Sequence, residues 1–366
     1  MGLVAQSIQE QVLQAFSHHS IGAPQVFEPD QYTKGSATRE PCDLVWTGRD
    51  VIFLFTMRDS TRSFEKSNDH NLRQLDGWMR VWSDSLRLLG SNEWRTFNFA
   101  PTDFRRVVLV SVVGGANAGA EAIVVPPSQR RLASGAVTSI RATVPDSGLI
   151  KLARRGGTAL DLLAIIDAVR ASGRRWAAHE FEDAIERAHT SAFAIAEASA
   201  PRPPDYDLYL SMLEQIARGL RTQRLTTNGS DLDVAHGLAA LGDINWQQTA
   251  RLALSATEVY RMVRDVPQGE YGPMLGIVEQ KLPPYRFLLG AFDLGKREAS
   301  EAFSQAIIDT VNRVRTETPE TPAIALTWGM TGRPVVAFDT SMIIAEAQTS
   351  RSNALRYVVA IEHAAT

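Results

Sequence analysis

The sequence predicts an α/β fold, with a central mixed sheet flanked by helices in the N-terminal half and an α+β region after it. Two wholly apolar runs, Val51-Ile52-Phe53-Leu54-Phe55 and Val107-Val108-Leu109-Val110, have the composition of strands covered on both faces. Between them, Leu72, Leu75, Trp78, Met79, Trp82, Leu86 and Leu89 recur at helical spacing. Ala200-Pro201-Arg202-Pro203-Pro204-Asp205 cannot continue a helix and separates a domain at 1–199 from one at 206–366.

The elements follow in order. Val4, Ile8, Val12, Leu13 and Phe16 predict a first helix over 4–16. A polar stretch follows from Glu28 to Pro41, with Gly35 and Pro41 as punctuation. Asp43–Trp46 and Val51–Phe55, joined by the turn Thr47-Gly48-Arg49-Asp50, read as a β-hairpin. A helix is expected over 68–90, strands over 107–113 and 137–144, and helices over 146–154, 158–171 and 175–198. Beyond the prolines the pattern gives helices near 207–222, 231–241 and 246–264. Strands near 274–280 and 286–292, a helix near 296–315 and strands near 322–328 and 334–338 then make a β-α-β run.

Composition bounds the function. The chain has 366 residues, which suits two domains. Its net charge of −3 gives no global basic field, so a nucleic-acid reader would need a local patch. Cys42 is the only cysteine, which excludes a disulfide framework within the chain and favours a reducing compartment. Neither a signal-peptide pattern nor an 18-residue apolar run is present, so a cytoplasmic protein without a membrane partner is expected.

The motif with chemical content is the hairpin. Glu40-Pro41-Cys42-Asp43 opens its first strand, and Thr56-Met57-Arg58 ends its second. A helix follows with Lys66-Ser67 and, further on, Gln74-Leu75. Later come Val144-Pro145-Asp146-Ser147-Gly148-Leu149 and Gly157-Thr158-Ala159-Leu160-Asp161. Taken together, residues 5–195 resemble the PD-(D/E)xK, or restriction-endonuclease-like, superfamily, and within it a bacterial nuclease-like group. In that family an Asp opens one strand, and an acidic residue and a Lys two apart end the next. The carboxylates hold Mg²⁺, which prefers hard oxygen ligands and activates a water for phosphodiester hydrolysis.

The resemblance implies a role for each aligned residue. Asp43 fills the Asp slot, with Glu40 just before it. Glu10 on the first helix is a third candidate ligand for Mg²⁺. Thr56 stands in the acidic slot and cannot supply its charge. Arg58 stands in the Lys slot, where it keeps the positive charge but not the proton-transfer chemistry. Lys66 is the alternative cation, and Gln74 matches a helix glutamine near such sites. Two readings stay open. One is a degenerate nuclease-like protein whose fold binds nucleic acid or, through its C-terminal region, a protein partner. The other is a Mg²⁺-dependent nuclease using Asp43 with Arg58 or Lys66, in a bacterial defence or mobile-element context.

Other signals point to ordinary structure. Gly114–Gly119 follows a strand but lacks the Lys-Ser/Thr of a phosphate loop. His179-Glu180 has Asp183 where a zinc protease needs its second His. Arg130, Arg131, Arg141, Lys151, Arg154 and Arg155 could line a nucleic-acid groove or simply face solvent. Trp78, Trp82 and Trp94 are read as core residues.

Overall fold

The computed structural model describes residues 7–17, 23–59, 63–82, 86–92, 96–114, 120–132, 135–210, 239–264, 275–283, 285–293, 297–317, 323–331 and 337–345. The chain forms two compact units. Residues 1–191 with Leu241–Trp246 make the first, and residues 192–240 with 247–366 the second.

The first unit is an α/β layer structure built on a nine-stranded mixed sheet. Along its edge the strands run β11-β9-β10-β8-β5-β4-β1-β6-β7. These are β1 Val26–Pro29, β4 Leu44–Thr47, β5 Val51–Asp59, β6 Leu88–Ser91, β7 Thr96–Phe99, β8 Arg106–Gly114, β9 Glu121–Leu132, β10 Gly135–Pro145 and β11 Trp176–Ala177. A separate ribbon pairs β2 Tyr32–Lys34 with β3 Ala37–Arg39. The hairpin expected at 43–55 is present as β4–β5, in antiparallel register Leu44↔Phe55 to Thr47↔Ile52. β5, β8 and β10 run parallel to one another at the centre.

Strand alternation sends successive β5 side chains to opposite faces. Ile52 and Leu54 join Leu75, Trp78 and Met79 of helix α2 (Phe64–Met79) in one apolar cluster. Phe53 points the other way, toward Trp46, which packs edge-on against Phe16 of helix α1 (Ile8–Ser17). Helices α3 (Asp146–Arg154), α4 (Ala159–Ser172) and α5 (Ala178–Ala198) complete the succession. Residues 52–55 are wholly buried, and each such side chain contributes about 1.5–3 kcal/mol.

The structure corrects several sequence expectations. The polar stretch from Glu28 to Pro41, to which the sequence assigns no element, is structured. It holds the end of β1, whose Val26 and Phe27 are buried, and the β2–β3 ribbon, which turns at Gly35 (φ +65°). These segments are too short for alternation to register. Helix α2 spans 64–79, not 68–90. Val81 and Trp82 both donate their N–H groups to the Trp78 carbonyl, and the chain leaves the helix there. Leu88–Ser91 is a strand on β1, and Gly90 is fixed by that role, because a Cβ there would lie 2.4 Å from the Phe27 ring.

Strand β9 follows the glycine-rich stretch, whose residues 115–119 lie outside the described set. Its Pro126 and Pro127 fall in a register shift, opposite the one residue Ile140. Prolines are tolerated at such a bulge because they have no N–H to give the ladder. The expected helices at 207–222 and 231–241 lie mostly outside the described residues, as does Trp94.

In the second unit a four-stranded sheet has the order β12-β13-β14-β15. Its strands are Leu275–Leu282, Tyr285–Asp293, Ala323–Thr331 and Ala337–Ala345, and helix α7 (Arg297–Glu317) links the parallel pair β13 and β14. The β-α-β run is as expected, with its last strand extending to Ala345. Helix α6 occupies Trp246–Arg264. Among the described residues no helix is long and apolar enough to cross a membrane.

Leu241–Trp246 is tied into the first unit by two carboxylates. Asp243 accepts the N–H of Arg49 in the β4–β5 turn at 2.6 Å. Asp161 is fully buried and accepts Thr158 N–H at 3.0 Å, the Thr158 hydroxyl at 3.1 Å and Trp246 N–H at 2.9 Å. Burial raises its carboxyl to about 7, against the opposing pull of those donors. A carboxyl raised on folding from 3.8 takes up a proton as the chain folds. Its stabilising contribution is complete below the unfolded value and lost as pH rises through about 7. Urea midpoints should therefore fall between about pH 4 and about pH 7. In Asp161→Asn this slope should flatten, with a loss of about 1–3 kcal/mol from the mismatched donor.

Candidate functional site

Toward the carboxyl ends of the three parallel strands, buried polar side chains of neighbouring strands lie in register and form a polar row. Thr56 of β5 is in register with Ser111 of β8, and Ser111 with Thr143 of β10. Helix α2 lays two asparagines over this row. Asn71 is completely buried and donates its amide to the Thr56 carbonyl at 3.2 Å and to the Ser111 hydroxyl at 3.1 Å, with a longer approach to the Val112 carbonyl. Asn68 accepts the Thr143 hydroxyl at 2.7 Å.

The row is neutral throughout. The Thr56 hydroxyl, the Ser67 hydroxyl and the Asn71 carbonyl oxygen are buried and have no hydrogen-bond partner among the described residues. Carboxyl ends of parallel strands are where open α/β sheets place ligands, so position alone marks this region. Its chemistry is that of a hydrogen-bonded seam.

Asp43 stands at the entrance to β4 and is half-buried. Its backbone N–H donates to the Phe55 carbonyl at 2.8 Å, while its carboxylate Oδ2 accepts the Met57 N–H at 2.5 Å. The side chain thus takes the place of a ladder carbonyl where the strand pairing becomes irregular. Burial raises its carboxyl, the Met57 N–H opposes that, and the charge of Glu40 adds to it. The neighbouring Cys42 is buried, and its thiol is pushed well up by that burial.

The other expected ligands are occupied elsewhere. Glu10 closes the first turn of α1: its Oε2 accepts Ser7 N–H at 2.8 Å and its own N–H donates to the Ser7 hydroxyl at 3.2 Å. Glu40 is exposed and accepts the Gln31 amide at 3.0 Å. Among the described residues no three His, Cys, Asp or Glu side chains are grouped as a metal ion requires. The structure does not bring Asp43, Glu40 and Glu10 together: each carboxylate has its own protein partner. Mg²⁺ needs several hard oxygens around one point, and these residues do not fit it.

Arg58 is half-buried on β5, two residues beyond Thr56, and its guanidinium forms no ion pair with a described residue. Lys66 is exposed on the first turn of α2 and is likewise unpaired. Gln74 does not reach the polar row. It lines a cavity of about 620 Å³ between α2 and the β2–β3 ribbon, and Glu40 lines the same cavity.

The basic residues after β8 are largely neutralised. Arg141 pairs with Asp76 at 3.1 Å, Lys151 with Glu186 at 3.4 Å and Arg155 with Glu186 at 2.9 Å. The side chains of Arg130 and Arg131 lie outside the described set. Glu180 is held down to about 2 by Arg174 and the Ala177 N–H, as a helix-start carboxylate and not a metalloprotease base.

Sequence reasoning overlooked Asn71, Ser111 and Thr143. Ser67 and Asn71 precede Leu75 at four-residue spacing on the inward stripe of α2, so a polar insert in an apolar stripe was the available signal. Searches against protein-family models, curated proteins and solved structures give no match.

Asp43→Ala leaves the Met57 N–H without its acceptor and should cost about 1–2 kcal/mol in urea unfolding. Millimolar Mg²⁺ should leave the midpoint unchanged in both proteins. A Mg²⁺-induced rise in the wild type that vanishes in Asp43→Ala would show that a cation does seat there. Thr56→Val removes an unpartnered hydroxyl at nearly constant shape, so it should change stability by less than about 1 kcal/mol or raise it. A larger loss would mean the hydroxyl has a partner.

Proposed function

We propose that the chain is a restriction-endonuclease-like protein that has lost its metal chemistry and binds nucleic acid through the retained fold. The observation that carries this reading is the neutral row Thr56–Ser111–Thr143, capped by Asn68 and Asn71, in the carboxyl-terminal part of the central strands, where the family would need a second carboxylate.

The arrangement around it supports the assignment. Helix α1 is followed by β1 and the β4–β5 hairpin, then by α2 and a strand, β8, parallel to β5. The aligned Asp43 opens β4 beside the end of β5, as the resemblance requires. Its carboxylate is engaged with the Met57 N–H, and the hydroxyl of Thr56 is buried. Arg58 retains a positive charge on the same strand as Thr56, and it forms no ion pair with a described residue. A cation kept without its metal partner suits attraction of a phosphate more than activation of a water.

Hydrolysis through Asp43 would need a second charged oxygen ligand, which neither Thr56 nor Glu10 supplies. Incubation of supercoiled DNA, linear DNA and structured RNA with Mg²⁺ or Mn²⁺ should therefore give no cleavage above a mock purification. The wild type and Asp43→Ala should be indistinguishable. Metal-dependent strand scission that Asp43→Ala abolishes would overturn the reading and restore the nuclease.

A further inference from the structure

The cavity between the β2–β3 ribbon and the outer face of α2 has a charge that the rest of the molecule does not share. Lys34 and Arg39 reach it from the ribbon, Arg73 and Arg80 from the helix, and Glu40 is the one carboxylate in its wall. Four cations against one anion stand around a single concavity in a chain whose net charge is −3.

The surrounding acids do not cancel this charge. Asp76, on the same helix, is taken by Arg141. Asp69 approaches Arg73 only at 3.9 Å, with both side chains largely exposed, a geometry that contributes little. Lys34, Arg39 and Arg80 form no ion pair with any described residue. Like charges gathered around one concavity without protein counter-charge raise its positive potential, which favours an anion from outside.

The shape is as specific as the charge. Arg73, Gly77 and Arg80 follow one another at spacings of four and three, which puts them on one helix face. Gly77 keeps the wall between the two arginines open: a Cβ there would meet only the Arg80 guanidinium, at 3.8 Å. The floor holds Trp78, with Tyr32 packed against its ring at 4.7 Å between centroids. The Trp78 indole N–H is buried without a hydrogen-bond partner among the described residues. The volume of about 620 Å³ admits a group the size of a nucleotide.

We infer that this cavity is a phosphate-binding site, in which the arginines of α2 and the basic residues of the ribbon hold the phosphates of a nucleic-acid strand. The inference rests on the nucleic-acid-binding reading for the source of the phosphate, while the site itself rests on the cavity. Guanidinium groups match phosphate oxygens in forked pairs, and Gln74 and the partly exposed Tyr32 offer neutral contacts to sugar or base. Glu40, held by Gln31, sets one negative limit to where a phosphate can lie.

The test uses the full chain with two probes, a fluorescein-labelled 12-nucleotide single strand, as DNA and as RNA, and unlabelled inorganic pyrophosphate. Strand binding is read by anisotropy, and pyrophosphate binding by calorimetry. The variants are Arg39→Glu/Arg73→Glu and, as a control of equal sign, Arg187→Glu on the exposed face of α5.

The double variant should lose at least about tenfold in strand affinity and the control less than about twofold. Engagement of about three phosphates predicts a roughly 20-fold fall in affinity between about 50 and about 200 mM salt. Circular dichroism and the urea midpoint check that the exposed substitutions leave the fold intact. Strand binding that is unchanged in the double variant would remove the cavity from the proposal and leave nucleic-acid binding standing elsewhere on the protein. Pyrophosphate binding that depends on Arg39 and Arg73, without any strand binding, would keep the phosphate site and overturn the nucleic-acid reading. Binding of neither probe to the wild type at low salt would overturn both.

Discussion

The complete burial of β5 is the constraint from which the first unit is organised. Ile52 and Leu54 face α2, and Phe53 faces the layer that contains α1, so no residue from 52 to 55 can carry an unpaired polar atom at acceptable cost. Polarity is thereby driven to the ends of the strand. At the entrance, the turn before Val51 is secured by Asp243 through the Arg49 N–H. At the exit, Thr56 meets Ser111 and Thr143 in one row, and the amides of α2 close over it. The candidate site is a polar insert near the carboxyl ends of strands that are otherwise apolar.

That origin explains why the carboxylates near the hairpin do not converge. A carboxylate close to a buried strand end must find donors or be neutralised, and backbone N–H groups are the donors at hand. Asp43 takes Met57, Glu10 takes Ser7, and Asp161 takes Thr158 and Trp246. Each of these bonds repairs a local defect: an irregular strand pairing, an open helix turn, or the docking of Leu241–Trp246. A metal centre asks the reverse, that several anions tolerate one another for the sake of a shared cation. Thr56 brings no charge to the row, and the neighbouring amides satisfy much of it.

The legibility of the fold follows the same physics. The hairpin and β8 could be read because burial on both faces leaves an unbroken apolar run. β1 and the β2–β3 ribbon could not, since three or four residues give no period, and Glu28, Lys34 and Arg39 make the region polar. The helix expected to reach residue 90 stops at 79 because Leu86 and Leu89 extend the helical spacing by coincidence; Leu88 is the buried one, and Leu89 is 43% exposed. β9 was hidden by Pro126-Pro127, which argue against a strand unless a bulge is allowed. At the candidate site, the position of Asp43 was legible from its motif. Its role was not, because the bond to Met57 depends on an irregularity in the pairing that no spacing rule encodes.

Glu40 and Gln74 come together in the structure away from the polar row. Both were singled out by analogy with a metal site. Both sit instead in the wall of one cavity, with Arg39 and Arg73 as their sequence neighbours supplying the charge. The neutral row and the cationic cavity are served by different faces of the same helix: Ser67, Asn71 and Leu75 look inward, while Arg73, Gly77 and Arg80 look out. Water supports the solvent-facing cations at little expense until a phosphate replaces it.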